Sequence, residues 1–178
     1  MRERTTILFV CLGNICRSPL AEGVFLHLAR ARGVADGFEV DSAGTGGWHA
    51  GSPPDPRTEA SARRHGVTLV SRARQVVAPE DFQRFEWLIA MDHSNARHLR
   101  RAGAPAARLR LLRSFDPALA HLAPDDPGLA VPDPYVGGEG GEGGEEGFEA
   151  VYEMVASACA GLLDELLRGR VGGGERGP

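Results

Sequence analysis

Four short apolar strands alternating with helical segments predict an α/β fold: a single domain with a four-stranded parallel sheet flanked by helices. Three observations carry this. TTILFVC (5–11) and WLIAMD (87–92) are unbroken apolar runs, as in strands covered on both faces. Between the strands, apolar residues recur at helical spacing and stop at glycines. Finally, 178 residues with 42% hydrophobic and 25% charged content suit one soluble domain with a substantial core.

The elements follow in order. After strand 5–11, Pro19 occupies an early helical position and Ser18 is placed to cap. Leu20, Val24, Phe25 and Leu28 then mark a helix to about Arg32, ended by Gly33. FEVDSAG (38–44) is the second strand, and GTGGWHAGSPPDP (44–56) a glycine- and proline-rich loop. RTEASARRHG (57–66) and PEDFQRF (79–85) read as helices, WLIAMD as the third strand, HSNARHLRRAG (93–103) as a helix and RLRLL (108–112) as the fourth strand. Residues 113–147 are expected to be a long loop, ending in an acidic glycine-rich insertion at 137–147 that reads as flexible. Phe148, Val151, Tyr152, Val155, Cys159, Leu162, Leu163 and Leu166 form the stripe of a last helix, 148–168. Domain bounds of 1–169 leave 170–178 as a disordered tail.

Composition excludes several functions. The net charge of −4 gives no footprint for nucleic acid. All 20 basic side chains are arginine, which removes Schiff-base and P-loop lysine chemistry. The first apolar run is too short to span a membrane, and three cysteines make no disulfide framework, so a cytoplasmic, reducing location is expected. A C-x4-C pair without a second cluster argues against zinc, and neither a metal nor an organic cofactor is implied.

VCLGNICRSP (10–19) stands where ligands bind in such sheets, beyond the carboxyl end of a strand. A tight loop running into a helix N-terminus aims its N–H groups at an anion. Leu12, Gly13, Asn14, Ile15, Cys16, Arg17 and Ser18 would form that cradle, with Gly13 free to take a positive φ and Asn14 able to tolerate the left-handed region and to brace the loop through its amide. Arg17 can fork two oxygens of an oxyanion. Cys11 lies at the base, where the N–H groups, Arg17 and the Ser18 hydroxyl favour thiolate, a nucleophile aimed at phosphorus. Expelling an alkoxide or phenoxide also needs a proton donor. Asp133, between two prolines in AVPDPYVG, is a candidate beside Asp41, Asp55 and Asp92, and spacing alone does not select among them. Asp41 and Asp92 read more readily as structural hydrogen-bonders, His49 as a loop residue near the cleft, and Cys159 as core.

FVCLGNICRSPLAE (9–22), VDSAGTGGWHAGSPPDPR (40–57), ARQV (73–76), MDHSN (91–95), SFDP (114–117) and PDPY (132–135), in this order, resemble the low-molecular-weight protein tyrosine phosphatases. The resemblance implies a flavodoxin-like or Rossmann-like fold. It implies Cys11 as a nucleophile that becomes phosphocysteine, Arg17 as phosphate clamp and Asp133 as general acid, then base. Asn14 and Ser42 match the pair that supports the loop; Ile15, Trp48 and Tyr135 match the substrate cleft; Cys16 matches the cysteine that can trap an oxidised nucleophile as a reversible disulfide. The implied partners are phosphotyrosine in proteins or small aryl phosphates, with inorganic phosphate as product. Val136 departs from the pattern, which often has a second tyrosine there. An arsenate reductase shares the cradle but needs two further relay cysteines, and only Cys159 remains. A phosphocarrier module would need neither Arg17 nor Asp133.

Overall fold

In the computed structural model, which describes residues 4–135 and 144–172, β1 (Thr5–Cys11) lies inside the sheet, paired in parallel with β2 (Phe38–Gly44) on one side and β3 (Trp87–Ala90) on the other. The third strand in turn pairs with β4 (Leu109–Leu111), giving the order β2-β1-β3-β4, all parallel. The helices are α1 (Arg17–Ala31), α2 (Pro56–Arg64), α3 (Glu80–Arg84), α4 (His93–Arg101) and α5 (Glu145–Gly172).

The unbroken apolar runs are explained by burial on both faces. Ile7, Phe9 and Cys11 point to the side covered by α1 and α5, where they meet Val24, Phe25, Val155 and Leu162. Leu8 and Val10 point to the opposite side, against Leu88, Ala96 and Leu99 under α4. Alternation of side chains along a strand thus splits one run into two cores. The strand order reverses around β1, so the crevice at its carboxyl end is a topological switch point.

Three features differ from the sequence expectations. The last helix begins at Glu145, three residues before Phe148, because Glu145 and Glu149 both reach Arg64 on α2. Glu149 also accepts from Ser61 and pairs with His65, whose ring stacks on Tyr152 at 3.8 Å. At its far end the helix runs through Arg170, expected in the tail; that guanidinium lies 4.2 Å from the Phe38 ring and bonds Thr5 Oγ1 at 2.8 Å. The stretch expected as a long loop contains 3-10 turns at Leu112–Phe115, Pro117–Leu119 and Pro127–Leu129. Most of the 137–147 insertion, and 173–178, lie outside the described residues. Gly161 of α5 sits against the Phe115 turn so closely that a Cβ there would fall 1.8 Å from the Phe115 carbonyl oxygen. Among the described residues no helix is long and apolar enough to cross a membrane.

Candidate active site

Cys11 ends β1 with only 2% of its surface exposed. Its Sγ receives the backbone N–H of Asn14 at 3.3 Å and lies 3.0 Å from Ser18 Oγ. Ser18 is therefore not the helix cap: α1 starts at Arg17, its N-cap position is Cys16 with no side-chain capping bond, and the Ser18 hydroxyl turns back into the loop. The Asn14 amide fixes that hydroxyl. One Nδ2 donates to Ser18 Oγ at 2.8 Å and to Ser42 Oγ at 3.0 Å, while Oδ1 accepts from the N–H of Arg74 at 2.9 Å. With the Ser18 oxygen accepting from Asn14, its hydrogen can go to the Cys11 sulfur at 3.0 Å or to the Ala43 carbonyl at 3.4 Å. Ser42 passes its own hydrogen to Glu22 Oε2 at 2.5 Å. Burial pushes the Glu22 carboxyl above its ordinary range, against the hydrogen bond from Ser42 that lowers it.

The left-handed residue of the loop is Asn14, at φ 54°, and not Gly13. Gly13 has a negative φ, and a Cβ there would lie 3.0 Å from the His49 ring, a tight contact that the ring would have to yield to. The loop is fastened to its surroundings by Thr45 N–H to Cys11 O (2.9 Å), Gly46 N–H to Leu12 O (2.9 Å) and Asp55 N–H to Ile15 O (2.7 Å). Asp55 also caps α2 and grips Arg57 at 2.9 and 3.0 Å; burial would raise its carboxyl, but the bonds from Arg57 bring it below the usual range.

Arg17 is 2% exposed. Its Nη1 is held by Asp92 Oδ2 at 2.7 Å and by the Val131 carbonyl at 3.0 Å, and its Nη2 reaches Asp133 Oδ2 at 3.3 Å. Its Nε is buried and has no partner. Burial works against its positive charge, but Cys11, Asp133 and Asp92 outweigh it and raise the guanidinium pKa further. The fork is therefore clamped at Nη1 and shared with Asp133 at Nη2, and its Nε–Nη2 edge can take an oxyanion when Asp133 turns away.

Cys11, Leu12, Gly13, Ile15, Cys16, Arg17, Trp48, His49, Asp133 and Tyr135 line one pocket of about 170 Å³. The fold thus brings together every residue the sequence assigned to catalysis and to the cleft. Trp48 and Tyr135 stand at the rim, 66% and 48% exposed. His49 lies between them, its ring 6.1 Å from Trp48 and 6.0 Å from Tyr135. Tyr135 is backed by Arg57, whose guanidinium is 5.7 Å from its ring. Asp133 is positioned by its own turn, with Tyr135 N–H on Oδ1 at 3.1 Å. Cys16 is buried, which pushes its thiol up to about 12.

The sequence reading missed Arg74, Glu22 and the contact of Asp92 with Arg17. Asp92 gave a signal: it follows β3 directly, at the same sheet end as Cys11, and it caps α4. Its carboxylate serves the helix through Oδ1 and the arginine through Oδ2.

Residues 6–171 match the model of the family described as low molecular weight phosphotyrosine protein phosphatase. A low molecular weight protein-tyrosine-phosphatase of Streptomyces coelicolor is 47% identical over 160 residues, covering 88% of this chain and 90% of that protein. A low molecular weight phosphotyrosine protein phosphatase of Sus scrofa is 38% identical over 172 residues, covering 93% and 99%. A crystal structure of the protein tyrosine phosphatase of Entamoeba histolytica, with Hepes in its active site, superposes with a TM-score of 0.80 at 32% identity, covering 93% of this chain and 99% of that one. The chain belongs to the low molecular weight phosphotyrosine protein phosphatases, a family of phosphoric monoester hydrolases.

Proposed function

We propose that this protein hydrolyses phosphotyrosine in proteins, and small aryl phosphates, through a phosphocysteine on Cys11. One observation carries the reading: Cys11, Arg17 with its unpartnered Nε, and Asp133 all line a single pocket rimmed by Trp48 and Tyr135. In the first step the Cys11 thiolate attacks phosphorus, the P–O ester bond breaks, and Asp133 gives its proton to the departing phenolate. The Nε–Nη2 edge of Arg17 and the N–H groups of the 12–17 loop hold the equatorial oxygens, whose charge grows in the transition state. In the second step water attacks the phosphocysteine, Asp133 takes its proton, the S–P bond breaks, and inorganic phosphate leaves with the thiolate restored. The aromatic rim suits a flat phenyl ester better than an alkyl one.

Cys16 completes the reading as a guard. Peroxide converts the Cys11 thiolate to a sulfenic acid, and the Cys16 thiol then displaces water to form a disulfide that a reducing thiol reopens. The reductase alternative finds no support, since Cys159 is wholly buried and its thiol faces the Ala21 carbonyl at 3.6 Å. No residue of the mechanism requires a cofactor, and the cytoplasm is its expected setting.

The test is acid-quenched mass spectrometry during turnover of p-nitrophenyl phosphate. A phosphoryl adduct on Cys11, absent from Cys11→Ser, with a burst of nitrophenol, is the expected result. Turnover that survives Cys11→Ser overturns the mechanism.

A further inference from the structure

On the far side of the sheet a larger cavity, of about 750 Å³, opens between α4, β4 and the turns of 112–129. Its floor is apolar, built from Ala96, Leu109, Leu111, Phe115, Leu122 and Leu129. Its polar lining is weighted towards positive charge, with Arg97, Arg100 and Arg110 facing Asp125 and Glu165. His93, Arg97 and Arg100 follow one another at i, i+4 and i+7, so they form a row along one side of α4.

Two features of that row point to a missing occupant. His93 Nε2 is buried and has no hydrogen-bond partner. A buried polar atom without a partner in a cavity wall is the exception in folded proteins and calls for an explanation. Arg97 and Arg100 form no ion pair among the described residues, which leaves both guanidinium groups open to an anion. Arg110 spends its Nη1 on the carbonyls of Ala106 and Leu109. The volume is that of a small-molecule site, roughly 300–1,000 Å³, and far exceeds what a lone inorganic ion needs. An apolar floor below a row of uncommitted cations suits an amphipathic ligand.

We propose that this cavity binds a small organic anion, its apolar body on the leucine floor and its carboxylate, sulfonate or phosphate against Arg97 and Arg100, within reach of His93. The occupant would rest on the chain that leads to the catalytic pocket. Leu122 and Leu129 line the cavity, Arg113 ties the Gly128 carbonyl at 2.8 Å, and Val131 two residues on is bonded by Arg17. The inference does not depend on the chemistry at Cys11.

The test is a fluorescence titration of the full chain with 1-anilinonaphthalene-8-sulfonate, in saturating inorganic phosphate so that the Cys11 loop is occupied. Saturable binding at one site is expected, weakened at least tenfold in Arg97→Glu/Arg100→Glu. Both side chains are exposed, so turnover of p-nitrophenyl phosphate by that variant should match the parent and report an intact fold. The uncharged analogue N-phenyl-1-naphthylamine, tried on the unaltered chain, should bind at least tenfold more weakly than the sulfonate. Absence of saturable binding, equal binding by the variant, or equal binding of the uncharged analogue would each overturn the proposal.

Discussion

Replacing Asn14 separates the two things this residue does. It occupies the left-handed region at φ 54°, and its buried amide makes three hydrogen bonds, to Ser18, Ser42 and the Arg74 backbone. Asn14→Gly keeps the backbone conformation at no steric penalty and deletes the amide. At a net contribution of about 1 kcal/mol per hydrogen bond, it should lower stability by about 3 kcal/mol. Asn14→Ala deletes the same amide and adds a Cβ to a left-handed residue, for about 1 kcal/mol more. Both variants should still fold, since domains of this kind hold about 5–15 kcal/mol. Denaturant melts followed by tryptophan fluorescence measure the order wild type, Gly, Ala. In both variants kcat/KM for p-nitrophenyl phosphate should fall at least tenfold, equivalent to about 1.4 kcal/mol, because the loop N–H groups lose their alignment. Two variants within 1 kcal/mol of wild type would refute the network as a brace, and alanine equal to or better than glycine would refute the strain argument.

Asp133→Asn should slow turnover of phenyl phosphate by about 10²–10⁴-fold and of good leaving groups far less, because only the poor ones need the proton; a uniform defect across a leaving-group series removes Asp133 from the acid role. Gly161→Ala should destabilise the fold even though alanine is the better helix former by about 1 kcal/mol, since its Cβ would meet the Phe115 carbonyl oxygen at 1.8 Å. A raised melting temperature for that variant would show that α5 can shift freely. For Glu149, hydrogen bonds from His65, Arg64 and Ser61 hold the carboxyl at about 2 in the folded chain. A depressed folded value means the group stabilises the fold above its unfolded value near ~4.3 and stops doing so as pH falls towards about 2. The melting-temperature gap between wild type and Glu149→Gln should therefore close between pH 5 and pH 2, and a gap that widens on acidification contradicts the assignment.

Local sequence carried the strands and the cradle because each is specified by residues near one another. Thr5–Cys11 is apolar throughout because both faces are covered, and Cys11 and Arg17 stand in one short loop, whereas Asp133 was singled out among the acids only by the family resemblance. What escaped are contacts made across long stretches of chain. Asn14 meets Arg74 sixty residues on, and Glu22 meets Ser42, only because β2 lies beside β1. Gly13 was misjudged for a related reason, while Asn14 takes the left-handed conformation its residue type tolerates. The positive φ falls on Asn14, whose side chain finds three partners there, while Gly13 leaves room for the His49 ring, a neighbour that its own surroundings in sequence do not announce. The start of α5 depends in the same way on Arg64, far upstream.

Val131 is fastened at both ends of its peptide frame: its N–H donates to the Met91 carbonyl at 2.8 Å, and its own carbonyl accepts from Arg17. Asp133 follows only two residues later, so its Cα is tethered within about 7.6 Å of a fixed point, with Pro132 and Pro134 stiffening the span. Its carboxyl can exchange the guanidinium for a leaving-group oxygen by turning about its side-chain bonds, a picosecond-to-nanosecond event. On the proposed mechanism, Asp133 would then deliver its proton without a main-chain movement of its own span.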